Sequence, residues 1–138
     1  MTFLLDTNTC IGHLTGRVPT ITERLRRHSV RDIVLCSVVK AELLTGAQKS
    51  RNTQANLAVV DEFTAPFASY PFDDQAAERY AQIRAELERM GNPIGPNDLL
   101  IAAIALSRQC TLVTSNVREF QRVADLAVED WSMSCATR

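Results

Sequence analysis

Phe3-Leu4-Leu5-Asp6-Thr7-Asn8 is the stretch on which the fold turns. Three consecutive apolar residues read as a short strand. The run ends on an acid, and Asn8 just beyond it can cap a following helix. The same unit recurs along the chain. Ile33-Val34-Leu35-Cys36 is a second apolar run, with Ser37 placed to cap a helix reaching about Lys49. Phe67 to Phe72 gives a third strand, Thr111-Leu112-Val113-Thr114 a fourth, and Ala127 to Glu129 a last one.

Helical patterns fill the intervals. Pro19 opens a helix to about His28, and another fits Thr53 to Phe63. Asp73 starts the clearest one: Ala76, Tyr80, Ile83, Leu87 and Met90 recur at three- and four-residue steps, and Gly91 ends it. Pro96 opens the next helix, where its missing N–H costs nothing. From Leu99 to Leu106 that helix is apolar all round, which predicts burial on every side. A short helix near Arg118 to Val123 comes after it. Strands alternating with helices predict the α/β class, with a parallel sheet covered on both faces. Neither repeat nor linker divides the chain, so residues 1–132 read as one domain and 133–138 as a tail.

A length of 138 residues suits one domain with a real core. No apolar run approaches the ~20 residues that span a bilayer. The N-terminus has no basic segment and meets Asp6 almost at once, which argues against a signal peptide and for the cytoplasm. Cys10, Cys36, Cys110 and Cys135 are scattered, with neither a C-x-x-C pair nor ligand spacing to His13 or His28. Buried thiols are expected rather than zinc or a disulfide framework. The net charge of −1 gives no global field for nucleic acid. Thirteen Arg stand against two Lys, Lys40 and Lys49, and an Arg fork matches phosphate geometry. Arg24, Arg26, Arg27 and Arg31 form the best basic patch, although such runs are usually a solvated helix face.

The acids are more informative. Asp6 follows the first strand. Glu42 sits early in the helix after the second, on one face with Val38, Val39 and Gly46, where a carboxylate without a partner is costly. Asp98 lies in the first turn of the buried helix, and Asn116 and Glu119 follow the fourth strand. In open parallel sheets the site lies beyond the carboxyl ends of the strands, where strand order reverses. Each acid also has a structural alternative: Asp6 can cap a helix, Asp98 can favour a helix dipole, and Glu119 can be a surface acid. Gathered at one sheet edge, they repel one another unless a cation binds. Oxygen donors without His or Cys suit a hard ion, Mg²⁺ or Mn²⁺, and such ions commonly serve phosphodiester cleavage.

Together the motifs resemble a known family. They are Leu4-Leu5-Asp6-Thr7-Asn8, Ser37 to Ala47 with Glu42, Ile94-Gly95-Pro96-Asn97-Asp98 to Ala103, Val113 to Phe120, and Val128-Glu129-Asp130-Trp131. In this order and spacing the chain resembles a PIN-domain protein, specifically a VapC-type toxin of a type II toxin–antitoxin pair, from Phe3 to Trp131. The resemblance implies a five-stranded parallel sheet in order 3-2-1-4-5 and a Mg²⁺- or Mn²⁺-dependent endoribonuclease. It maps the family's acidic positions onto Asp6, Glu42 and Asp98. Many members carry Asp where this chain has Asn116, and Glu119 is a replacement three residues on. Under this reading Asp6 and Asp98 hold the ion, Glu42 binds through water or acts as base, and Thr7 orients Asp6 or bonds the substrate. The implied substrate is structured RNA, foremost a tRNA anticodon stem-loop.

The implied partners are an antitoxin that buries apolar surface and sets a basic side chain near the acids, a second copy of the chain, and a higher toxin–antitoxin assembly. Operator DNA is contacted only through the antitoxin. Two other readings remain. A phospho-accepting receiver domain needs an acidic pair after its first strand and a late Lys, but Asp6 stands alone and no Lys follows Lys49. A PIN fold serving only as a binding subunit has no need of all three central acids.

Overall fold

The computed structural model describes residues 1–133. Its centre is β1 (Phe3–Leu5), buried at every position, which pairs with β2 (Ile33–Cys36) on one side and β4 (Thr111–Val113) on the other. β3 (Ala68–Tyr70) and β5 (Val128–Glu129) close the two edges, giving an all-parallel sheet in order β3-β2-β1-β4-β5. The α/β class and the strand order agree with expectation. Both edge strands are shorter than the sequence suggested. β3 is largely exposed and pairs with β2 through Ala68, Ser69 and Tyr70.

The helices are α1 (Thr7–Leu14), α2 (Pro19–Arg26), α3 (Ser37–Lys49), α4 (Thr53–Thr64), α5 (Asp74–Arg89), α6 (Pro96–Ser107) and α7 (Val117–Phe120). A single 3-10 turn, Val30–Asp32, leads into β2. α6 is buried at Leu99 and from Ile101 through Leu106, as its uniformly apolar sequence predicts. α5 opens on Asp73, whose side chain accepts from the Ala76 N–H at 2.9 Å. It closes through Gly91 at φ +65°: the Gly91 N–H donates to Glu88 and the Asn92 N–H to Leu87. That pair of bonds is a Schellman turn, which requires the left-handed conformation glycine adopts freely.

Several local expectations are corrected. Asn8 does not cap α1; the helix starts at Thr7, two residues earlier than an Asn8 cap would place it, and Asp6 caps it. Ser37 is the first residue of α3 and makes no cap bond, because Cys36 takes the capping position. Met90 is 58% exposed, since it caps α5 and leaves the apolar stripe there. α7 ends at Phe120 and the chain turns on through Val123. Cys10, Cys36 and Cys110 are buried free thiols, while Cys135 and nearly all of the expected tail lie outside the described residues. Two arginines of the basic patch serve the fold. Arg24 lies over the Trp131 ring and pairs with Glu129, and Arg27 pairs with Glu23. Among the described residues no helix is long and apolar enough to cross a membrane.

Candidate active site

β1 and β4 lie side by side at the centre of a parallel sheet, so the residues just past their carboxyl ends emerge at one crevice. Asp6 leaves β1 with its N–H still bonded to the Val113 carbonyl at 3.0 Å, so the residue is fixed on both sides. Its side chain accepts from the Thr9 N–H at 2.8 Å, and the residue is 5% exposed. Burial pushes the Asp6 carboxyl above its ordinary value of 3.8, hydrogen bonds from Thr114 and Thr9 pull it down, and the charge of Glu42 adds to the rise. Capping therefore accounts for one oxygen of Asp6 only in part, because a cap alone does not need burial beside other acids. The Thr9 hydroxyl donates to the Val113 carbonyl at 3.1 Å and ties α1 to β4.

Glu42 is half-exposed, with α3 carrying it over the crevice while Val39 and Leu43 face the core. The Thr7 hydroxyl donates to its Oε1, and Asn97 Nδ2 donates to its Oε2 at 3.0 Å. Thr7 thus orients Glu42 rather than Asp6. Asp98 stands in the first turn of α6, half-buried, and is pushed up to about 7. Desolvation is the largest cause, followed by a hydrogen bond and charge from Glu119 and then the charges of Asp6 and Glu42. Glu119 accepts from Asn116 Nδ2 at 2.6 Å and from the Gly95 N–H at 3.1 Å.

Asp98 is therefore within electrostatic reach of the other three acids named from the sequence, and Asp6 of Glu42, with Thr7 bonded to Glu42 and Asn116 to Glu119. Asn97, Gly95, Thr9 and Thr114 were not anticipated as their supports. Asn97 carried the one available signal, its place beside Asp98 at the start of α6. Among the described residues no ion pair involves Asp6, Glu42, Asp98 or Glu119. Neutral donors surround the acids instead, and the Asp98 carboxyl is held above its ordinary range. Nor, among the described residues, does any group of three or more His, Cys, Asp or Glu stand ready as a closed ligand set. The hydrogen bonds to Glu42 and Glu119 occupy their oxygens. By donor chemistry the cluster of oxygen ligands fits a hard divalent cation.

Comparison with known proteins bears on this cluster. The PIN-domain family profile matches residues 3–126. The chain belongs to the PIN-domain family. This PIN domain is 43% identical over 129 residues to a protein of Salmonella typhimurium named tRNA(fMet)-specific endonuclease VapC, covering 94% of this chain and 97% of that one. It is 36% identical over 129 residues to Ribonuclease VapC2 of Haemophilus influenzae, again covering 94% and 97%. The crystal structure of DNA-bound VapBC from Salmonella typhimurium contains a chain that superposes with a TM-score of 0.89 at 43% identity, over 95% of this chain and 98% of that one. VapBC-1 from nontypeable Haemophilus influenzae gives 0.87 at 35% identity, over 96% and 100%. The relatives place this PIN domain in the VapC group.

Proposed function

We propose that this VapC-type PIN domain is the toxin of a type II toxin–antitoxin pair and acts as a metal-dependent endoribonuclease. The observation that carries the catalytic part is the convergence of Asp6, Glu42, Asp98 and Glu119 past the ends of β1 and β4, with Asp98 pushed up to about 7 by burial and by the neighbouring acids. Asp6 and Asp98 are the residues to hold Mg²⁺ or Mn²⁺. When bound there, the ion supplies an acidified water and charge stabilisation at the phosphate oxygens. Glu42, with both oxygens oriented by Thr7 and Asn97, is placed to accept a proton. Asn116 and Gly95 hold Glu119 over the same crevice, where it tunes the charge around Asp98.

RNA is the substrate by kinship with the named ribonucleases, and tRNA is favoured by the relative named for tRNA(fMet); within it the anticodon stem-loop is the element we propose is cut. Kinship with the solved VapBC assemblies, one of them DNA-bound, supports an antitoxin partner and operator DNA contacted through it. A homodimer within that assembly and a cytoplasmic location complete the reading. Sequencing RNA 5′ ends shortly after induction in cells tests the substrate. New ends should accumulate in tRNA anticodon loops, and an unchanged 5′-end profile contradicts the proposal.

A further inference from the structure

A groove of about 670 Å³ opens beside the carboxylates, between α3 and the start of α6. Glu42 and Asn97 line its inner end, Ala41, Thr45 and Gly46 form its floor, and Lys49 stands at the outer end. Glu42 and Lys49 are seven positions apart on α3, two helical turns, or about 10 Å of rise. The floor is open: a Cβ at Gly46 meets nothing within 4 Å. Asn97 spends one N–H on Glu42, and its amide carries a second N–H and an acceptor oxygen. The Lys49 ammonium enters no ion pair or hydrogen bond among the described residues, so it is available at the end of the groove.

We propose that this groove seats the RNA strand adjoining the scissile phosphate, with Lys49 binding a phosphate two helical turns from Glu42 and Asn97 contacting the nucleotide between. The inference rests on the ribonuclease reading and extends it to the path of the strand. Charge complementarity selects the occupant. The groove begins at the acids that would hold a reacting phosphate through a cation and ends on an unpaired ammonium. Its floor of Ala41, Thr45 and Gly46 carries only small side chains, with Val38 and Leu100 beside it, so a backbone tracked by charge can lie close along α3.

The test is equilibrium binding of tRNA by the full chain across about 50 to 200 mM salt, with cleavage kinetics alongside. Wild type, Lys49→Ala, Lys49→Arg and the distant control Arg89→Ala are compared. Lys49→Ala should weaken binding several-fold and reduce the log–log salt slope by about 0.7 to 0.9, the loss of one phosphate contact. In cleavage it should raise KM and leave kcat within about twofold, the pattern of lost uniform binding. Lys49→Arg should restore both, and Arg89→Ala should match wild type. An unchanged affinity and slope in Lys49→Ala overturn the proposal. So does a variant that keeps both but loses self-association or its hold on an antitoxin, because the groove then seats a protein. If the slope falls as expected but wild type cleaves no RNA, the groove stands and the nuclease reading fails.

Discussion

Asp98 faces Glu119 across the crevice, and burial together with that neighbouring carboxylate holds the Asp98 carboxyl above the range of an isolated acid. Its folded-state value of about 7 lies above the ordinary 3.8. Between those values the folded protein holds a proton that the unfolded chain has lost. Stability from this group is therefore complete at pH below about 4 and is lost as pH rises through 7. Asp6, also raised, acts with the same sign. Thermal unfolding in EDTA should give a lower Tm at pH 8 than at pH 5.5, and Asp98→Asn should flatten that difference. Added Mg²⁺ should recover Tm at pH 8 in wild type. A metal-free Tm that climbs from pH 5.5 to 8, and climbs equally in Asp98→Asn, contradicts the raised Asp98 value.

Asp98→Asn preserves shape and removes one charge. Partners outside the ligand shell of a metal are worth about 10- to 100-fold, so a direct ligand should cost about 100-fold or more in cleavage. The variant should remain folded, with a Tm at pH 8 in EDTA no lower than wild type. Cleavage assays at limiting Mg²⁺ check this, and full activity removes Asp98 from the site.

The fourth position is tested by paired substitutions. Glu119→Gln should raise the metal concentration needed for cleavage but reduce the maximal rate less than Asp98→Asn does, because Asp6 and Asp98 survive as ligands. Asn116→Asp sets a second carboxylate against Glu119, at the position where Nδ2 now donates across 2.6 Å. It should tighten metal binding and lower stability without metal. Metal titrations with both variants provide the measurement. A curve unmoved by Glu119→Gln makes Glu119 a structural acid that only anchors Gly95 and Asn116.

Much of this arrangement is legible in the sequence because it is local. Apolar runs ending on acids place Asp6 and the Asn116–Glu119 turn at strand ends without any knowledge of contacts. The uniform apolarity from Leu99 to Leu106 announces the buried α6, and with it the position of Asp98. The supports were not legible because they act across the chain. Asn97 reaches Glu42 over 55 positions and Gly95 reaches Glu119 over 24, distances at which no periodicity speaks. Capping misled for a related reason. Asn8 and Ser37 have the right chemistry, but helices beginning at Thr7 and Ser37 move the capping positions back to Asp6 and Cys36. That shift makes Asp6 both a cap and a member of the cluster, alternatives that a sequence presents as rivals.

Gly91 offers a test of the fold apart from the site. Its φ of +65° supports the turn that closes α5 and aims the chain toward α6. A Cβ there meets nothing within 4 Å, so the cost of alanine is conformational and not steric crowding from neighbours. Gly91→Ala should lower stability by about 1 to 2 kcal/mol while leaving cleavage per folded molecule intact. Denaturant unfolding measures it, and an unchanged midpoint contradicts the role given to this turn.

The central claim is that the carboxylate cluster cleaves RNA with a bound divalent cation. The most direct measurement is cleavage of total tRNA by the purified chain, free of antitoxin, in EDTA and after Mg²⁺ or Mn²⁺ is restored in excess. Cleavage should vanish in EDTA, return with either ion, and fail to return in Asp98→Asn. Cleavage that continues undiminished in EDTA, or returns equally in Asp98→Asn, contradicts the account.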